Sequence, residues 1–182
     1  MKVALVSLNQ EWEDKNANRI HCAEYVNLAK DNNCDLVIFP EMTLTGFSMN
    51  VESCSEDYNC SETLSFFQNL AIKYQIWIIF GAIVSIDNTY ENRLFVLNKN
   101  GEVIADYAKI HPFSYSGEDK IFQAGENLGI AIINQINFGL SICYDLRFPE
   151  LYQILSQKAS VIVNIANWPA KRLDHWKTLV II

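Results

Sequence analysis

Short aliphatic runs alternate with longer stretches of helical spacing along this chain. Residues 2–8 and 35–39 are compact apolar runs of the kind that form buried strands. Between them, in residues 14–31, Ile20, Ala23, Val26, Leu28 and Ala29 recur at near-helical spacing. This order predicts a β-α-β opening. Residues 61–75 repeat the helical pattern, with Ser61 or Thr63 as the cap and Leu64, Phe67, Leu70 and Ala71 on one face. A strand over 77–84 follows. Runs at 93–98 and 102–108 then flank Asn100-Gly101, a strong short-range hairpin signal, so part of the pairing is antiparallel. Beyond a loop from 110 to 128, the pattern predicts strands at 129–133 and 136–143, a helix over 148–157, a strand over 160–165 and a last helix from about residue 171. Helices alternating with aliphatic strands, plus an internal hairpin, predict a layered α/β domain with mixed sheets over residues 1–182.

Composition narrows the function classes. Half of the 182 residues are hydrophobic and 19% are charged, enough for a buried core. The net charge of −7, with no basic run, argues against a nucleic-acid partner. No apolar run approaches the roughly 18 residues of a membrane span, and the short apolar start lacks the features of a signal peptide, so the expectation is a cytoplasmic protein. Five cysteines are an odd count, which favours free thiols. Cys54 and Cys60 flank an acidic loop and are candidates for a disulfide or a metal site, although ligand spacing for zinc is missing.

The chemistry concentrates at three strand ends. Cys143 closes an apolar strand just before Pro149, a residue suited to the first turn of a helix. A helix N-terminus there is expected to lower the thiol pKa and make a nucleophile. Glu41 follows the run Ile38-Phe39-Pro40, and Lys109 ends the second strand of the hairpin. A cysteine nucleophile needs a base and donors for the oxyanion that its attack creates. His111 is a rival base in a Cys-His dyad.

Three motifs in this order, Glu41 in Phe-Pro-Glu-Met, Lys109 in Tyr-Ala-Lys-Ile-His and Cys143 in Cys-Tyr-Asp-Leu-Arg-Phe-Pro-Glu-Leu, resemble the Glu-Lys-Cys triad of the nitrilase superfamily of carbon-nitrogen hydrolases. The run Ile165-Ala166-Asn167-Trp168-Pro169-Ala170, followed by Arg172, His175 and Trp176, is similar to the signature of the omega-amidase-like branch. The resemblance implies a four-layer α-β-β-α sandwich, association into a homodimer or larger homo-oligomer, and cofactor-free hydrolysis of small amides such as 2-oxoglutaramate. It also implies a second glutamate, for which Glu118 stands at the matching position. In the implied roles, Glu41 is the base, Lys109 and the Tyr144 N–H hold the oxyanion, and Arg147 meets a substrate carboxylate, with Arg172 as runner-up. Trp168 lines the pocket or fills core.

Two features cut against a simple transfer. Ala108 stands where many relatives carry a basic residue, with little consequence expected. Family members continue past the His-Trp motif through further strands, whereas this sequence runs only to Ile182, so the expectation is a shortened fold with open apolar faces. A truncated, non-catalytic remnant that binds or assembles is therefore the alternative, and nitrilase or N-carbamoyl amidase activity is the alternative within the enzyme class.

Overall fold

A computed structural model describes residues 1–180. One sheet runs in the order β1 (Val3–Leu5), β2 (Leu36–Ile38), β4 (Trp77–Ile86), β5 (Thr89–Leu97) and β6 (Val103–Ala108), with the short β3 (Glu56–Asp57) also on β4. The second sheet holds β7 (Gly129–Ile133), β8 (Ile136–Ile142) and β9 (Val161–Ile165). Both are mixed: β1, β2 and β4 are parallel, β5 is antiparallel to its neighbours, and β8 runs antiparallel to β7 but parallel to β9. The sheets face each other through Ile79, Leu94 and Val96 on one side and Ala131, Phe138, Leu140 and Ile165 on the other. Outside the first sheet lie α1 (Lys15–Asp31) and α3 (Glu62–Tyr74), whose Val26, Phe67 and Ala71 pack with Phe80 and Phe95. Outside the second lies α4 (Pro149–Ser156), with Leu155 against Gly139. The layers therefore run helix, sheet, sheet, helix. The one-turn α2 (Val51–Cys54) and the terminal α5 (Leu173–Val180) complete the elements.

The sequence pattern locates these elements and errs on details. In α1 the inward stripe is Asn18, Cys22, Val26 and Ala29, and Ile20 and Leu28 point to solvent. Asn18 takes a core position because its amide donates to the Glu11 and Leu44 carbonyls and accepts from the Glu11 N–H. Ser61 is the cap of α3, accepting from the Leu64 N–H at 3.0 Å, and Thr63 joins the buried face, where Leu64 is only partly buried. The first strand is shorter than expected and β5 starts earlier, because Asp87 and Asn88, both at positive φ, make a tight turn from β4. Cys54 and Cys60 are both free thiols, one buried and one exposed. Between β1 and β9, both at sheet edges, Leu5, Phe138, Val161 and Leu179 line an open apolar trench. Ile181 and Ile182, the end of the apolar terminal run, lie outside the described residues.

Glu56 ties the first helical layer together. Its carboxylate accepts from Lys15 Nζ at 2.6 Å, from the Ser61 hydroxyl, and from both the N–H and hydroxyl of Thr63. Burial alone would raise this carboxyl, but Lys15, Ser61 and Thr63 together pull it down to about 2. Glu56→Gln is expected to cost about 1–2 kcal/mol at pH 7, read by urea denaturation. The carboxyl is depressed, so its contribution is complete above the unfolded value of 4.5 and fades as pH falls toward 2. The gap between wild type and Glu56→Gln should close over that acid interval.

Candidate active site

All of the chemistry-bearing side chains named from the sequence sit at one end of the two sheets. That end holds the C-termini of β2, β6, β8 and β9 and, because β5 runs the other way, the first half of β5. Glu41 lies in a tight turn three residues after β2, and this turn presses on β4. A Cβ placed on Gly81 would lie 2.6 Å from the Met42 nitrogen. Thr43 and Gly81 lock the approach, with Thr43 N–H donating to the Gly81 carbonyl and Gly81 N–H to the Thr43 hydroxyl. Met42 adopts φ +46° and Cys143 φ +47°, left-handed conformations that cost an ordinary side chain about 1 kcal/mol or more and concentrate at functional sites.

At the centre is a dry ionic cluster. Lys109 is 1% exposed and donates to Glu41 Oε1 at 2.9 Å and to Glu118 Oε1 and Oε2 at 3.0 and 2.9 Å. Both glutamates are fully buried. Asn92 Nδ2 bridges the same carboxylates, 2.8 Å from Glu41 Oε1 and 2.9 Å from Glu118 Oε1. The remaining oxygens face backbone donors: Asn167 N–H to Glu41 Oε2 at 2.9 Å, and Phe113 N–H to Glu118 Oε2. A carboxylate has about four acceptor sites. Glu118 has all four taken. Among the described residues, Glu41 has three taken and one open, on Oε2.

Charge balance follows from this geometry. Burial would lower the Lys109 pKa, but Glu41, Cys143 and Glu118 outweigh it and hold the ammonium charged. For Glu118, burial and the neighbouring Glu41 push the pKa up against the pull of Lys109. Cys143 departs from the sequence expectation. Burial and the charge of Glu41 raise its pKa well above 9, with Lys109 opposing. The reason is structural: Cys143 opens a 3-10 turn, Cys143–Arg147, and the α-helix begins only at Pro149, so no helix dipole compensates for the loss of water. Burial beside Glu41 thus favours the neutral thiol.

His111 is held by Asp145 and Phe148. Its Nδ1 and its backbone N–H both meet Asp145 Oδ1, at 2.8 and 2.9 Å, and its ring stacks on Phe148. Asp145 Oδ2 also accepts from the Tyr107 hydroxyl and the Ile142 N–H, tying the end of β6 to the turn that carries Cys143. Arg147 pairs with neither Asp145 nor Glu150; it meets His175 Nδ1 at 2.9 Å and lies 5.7 Å from the centre of the Trp168 ring.

Cys143 opens into a narrow cleft, whose empty space of about 350 Å³ includes open solvent at its mouth. Phe47, Phe113, Tyr144 and Trp168 form its aromatic walls, and Arg147 and Arg172 line it as cations. Among the described residues neither arginine has a carboxylate within ion-pair distance. Trp168 both lines the cleft and packs on Trp176, its indole N–H donating to the Arg172 carbonyl. Sequence reasoning missed Asn92 and the structural work of Asn167 and Asp145. Asn92 had a signal: it continues the inward alternation of Leu94 and Val96, where a polar side chain is out of place.

Residues 2–180 match the family model described as "Carbon-nitrogen hydrolase". The chain is 32% identical to a "Hydrolase in agr operon" from Staphylococcus aureus, over 99% of this chain and 70% of that protein. It is 30% identical to a "2-oxoglutaramate amidase" from Bacillus subtilis strain 168, over 92% of this chain and 65% of that protein. Among solved structures, a member of branch 10 of the nitrilase superfamily from Saccharomyces cerevisiae superposes with a TM-score of 0.85 at 26% identity, over 98% of this chain and 69% of that one. The fold is thus that of the nitrilase superfamily, and the chain spans about two thirds of the length of these relatives.

Asp145→Ala removes the acceptor of the buried Tyr107 hydroxyl and Ile142 N–H and of the part-buried His111 N–H, and takes away the partner of His111 Nδ1. It is expected to cost about 3 kcal/mol, measured by urea unfolding at neutral pH. A loss within about 0.5 kcal/mol would show that the four bonds do not hold the turn.

Proposed function

This chain belongs to the carbon-nitrogen hydrolase family, and on that premise we propose that it is a cofactor-independent thiol amidohydrolase acting on the omega-amide of a short carboxylic acid. One observation carries the reading: a neutral thiol buried beside a carboxylate with one unoccupied lone pair, next to a fixed ammonium. Glu41 takes the proton from Cys143 as sulfur bonds to the amide carbon and the carbonyl pair moves onto oxygen. Lys109 and the Tyr144 N–H stabilise that oxyanion. When the carbonyl re-forms, the C–N bond breaks, Glu41 returns the proton to nitrogen, and ammonia leaves a thioester on Cys143. Water then attacks the thioester with Glu41 again as base; the C–S bond breaks and the carboxylic acid leaves as the thiol regains its proton. Glu118, with every acceptor site filled, holds the ammonium and does not trade protons.

Substrate choice rests on charge. In a chain of net charge −7, two guanidiniums without a carboxylate partner among the described residues line the cleft beside the sulfur, a suitable reception for the far carboxylate of an acid amide. The B. subtilis relative's name, 2-oxoglutaramate amidase, describes such a substrate. The reading includes a homo-oligomer in the cytoplasm, supported by the open apolar trench between β1 and β9 and by five unpaired thiols.

Ammonia release from monoamides of short dicarboxylic acids is the expected activity, lost by more than about a thousandfold in Cys143→Ala and Glu41→Gln. Turnover that survived Cys143→Ala would refute the mechanism. Arg147→Ala and Arg172→Ala should raise KM for acid amides by about tenfold or more while leaving neutral amides such as propionamide nearly unchanged, as steady-state kinetics on the two substrate types will read.

A further inference from the structure

Asn92 is used by nothing in the mechanism above, yet it touches every charged residue of the cluster. Its Nδ2 reaches both carboxylates, and its backbone carbonyl accepts from the Lys109 N–H at 3.0 Å. We propose that Asn92 is a positioning residue: by filling the second acceptor site of Glu41 Oε1, it leaves Oε2 as the only atom of Glu41 that can receive the Cys143 proton, and it holds Glu41 and Glu118 at a fixed spacing around one ammonium. The inference rests on the reading of Glu41 as base and Cys143 as nucleophile.

The count of acceptor sites supports it. Oε1 receives Lys109 and Asn92, whereas Oε2 receives only the Asn167 N–H, and the same Asn92 nitrogen completes the saturation of Glu118 Oε1. With Asn92 removed, Glu41 would have open sites on both oxygens and could rotate its free lone pair away from the sulfur. Among the described residues Asn92 Oδ1 is a buried acceptor with no partner, so the position accepts one unsatisfied group in order to aim its two N–H donors. A neutral amide is suited to this bridge. A lysine would add charge to a cluster that already holds its counter-ion, and an aspartate would bring a third carboxylate to one ammonium.

The titratable groups that face Glu41 are Lys109 from the end of β6, Glu118 from the turn after it and Cys143 from the turn after β8; the segment after β9 offers only the amide groups of Asn167. The test uses the full chain and two readouts: steady-state hydrolysis of succinamic acid against pH, and iodoacetamide alkylation of Cys143 against pH, followed by mass spectrometry of the Cys143 peptide so that exposed Cys60 does not interfere. Losing an N–H donor raises a carboxylate's proton affinity. Asn92→Ala is therefore expected to lower kcat by about tenfold or more, change KM by less than about threefold, and move the acid limb of both profiles upward by about half a pH unit or more. Asn92→Asp, close in shape, should move the limb further in the same direction, and it decides the matter if Asn92→Ala does not fold. Wild-type kcat with an unmoved limb, or a loss of activity that only tracks the folded fraction, would overturn the assignment. If wild type hydrolyses no amide but the alkylation limb still moves, the amidase reading fails and the role of Asn92 stands.

Discussion

Two carboxylates share one ammonium in the dry gap between two sheets, and the rest of the architecture serves that arrangement. Unpaired, any one of these charges would cost several kcal/mol to bury. Here the ammonium sits within 3.0 Å of both carboxylates, and neutral donors from β5, the 113 loop and the segment after β9 satisfy what it cannot reach. The donors come from distant parts of the chain, so the cluster exists only when both sheets are formed and faced. Its presence therefore reports the integrity of the whole described fold.

The same logic explains why the sulfur is neutral. A thiol can be activated by a field that makes it a thiolate at rest or by a base that removes its proton during attack. Helix dipoles and cations serve the first route. Here burial and a negative neighbour work against it, and on the proposed reading Glu41, with an acceptor site open on Oε2 among the described residues, provides the second. The two routes use different parts of the fold, and only the second needs the sheets to hold an acid group to within a fraction of an ångström of its place.

Much of this was legible from sequence. Aliphatic runs located eight of the strands by position, since β3 is too short to leave a pattern, and the Asn100-Gly101 turn marked the hairpin correctly. Glu41, Lys109 and Cys143 were named from three motifs and Glu118 from the position that the resemblance implied, and the structure brings the four side chains together. What failed was what depends on the third dimension. The outward turn of Ile20 and Leu28 follows from Asn18 being bonded inside. The thiol's proton affinity was misjudged because Pro149 marks a helix start six residues beyond the sulfur, with a 3-10 turn between. Asp145 sits inside the Cys143 motif without its role being evident there, and Asn92 shows only as a polar residue in an inward alternation. Their importance comes from partners 38 and 51 residues away in the chain, a separation that no local pattern encodes.

A buried sulfur whose proton is held more tightly than usual has a further property. Peroxides and disulfides react with thiolates, and a buried thiol offers them little thiolate to find. The exposed Cys60 and half-covered Cys34 meet such oxidants first. On the proposed reading, the desolvation that makes Cys143 depend on its neighbour also limits the thiolate that oxidants can reach, so durability and catalysis draw on one feature of the packing.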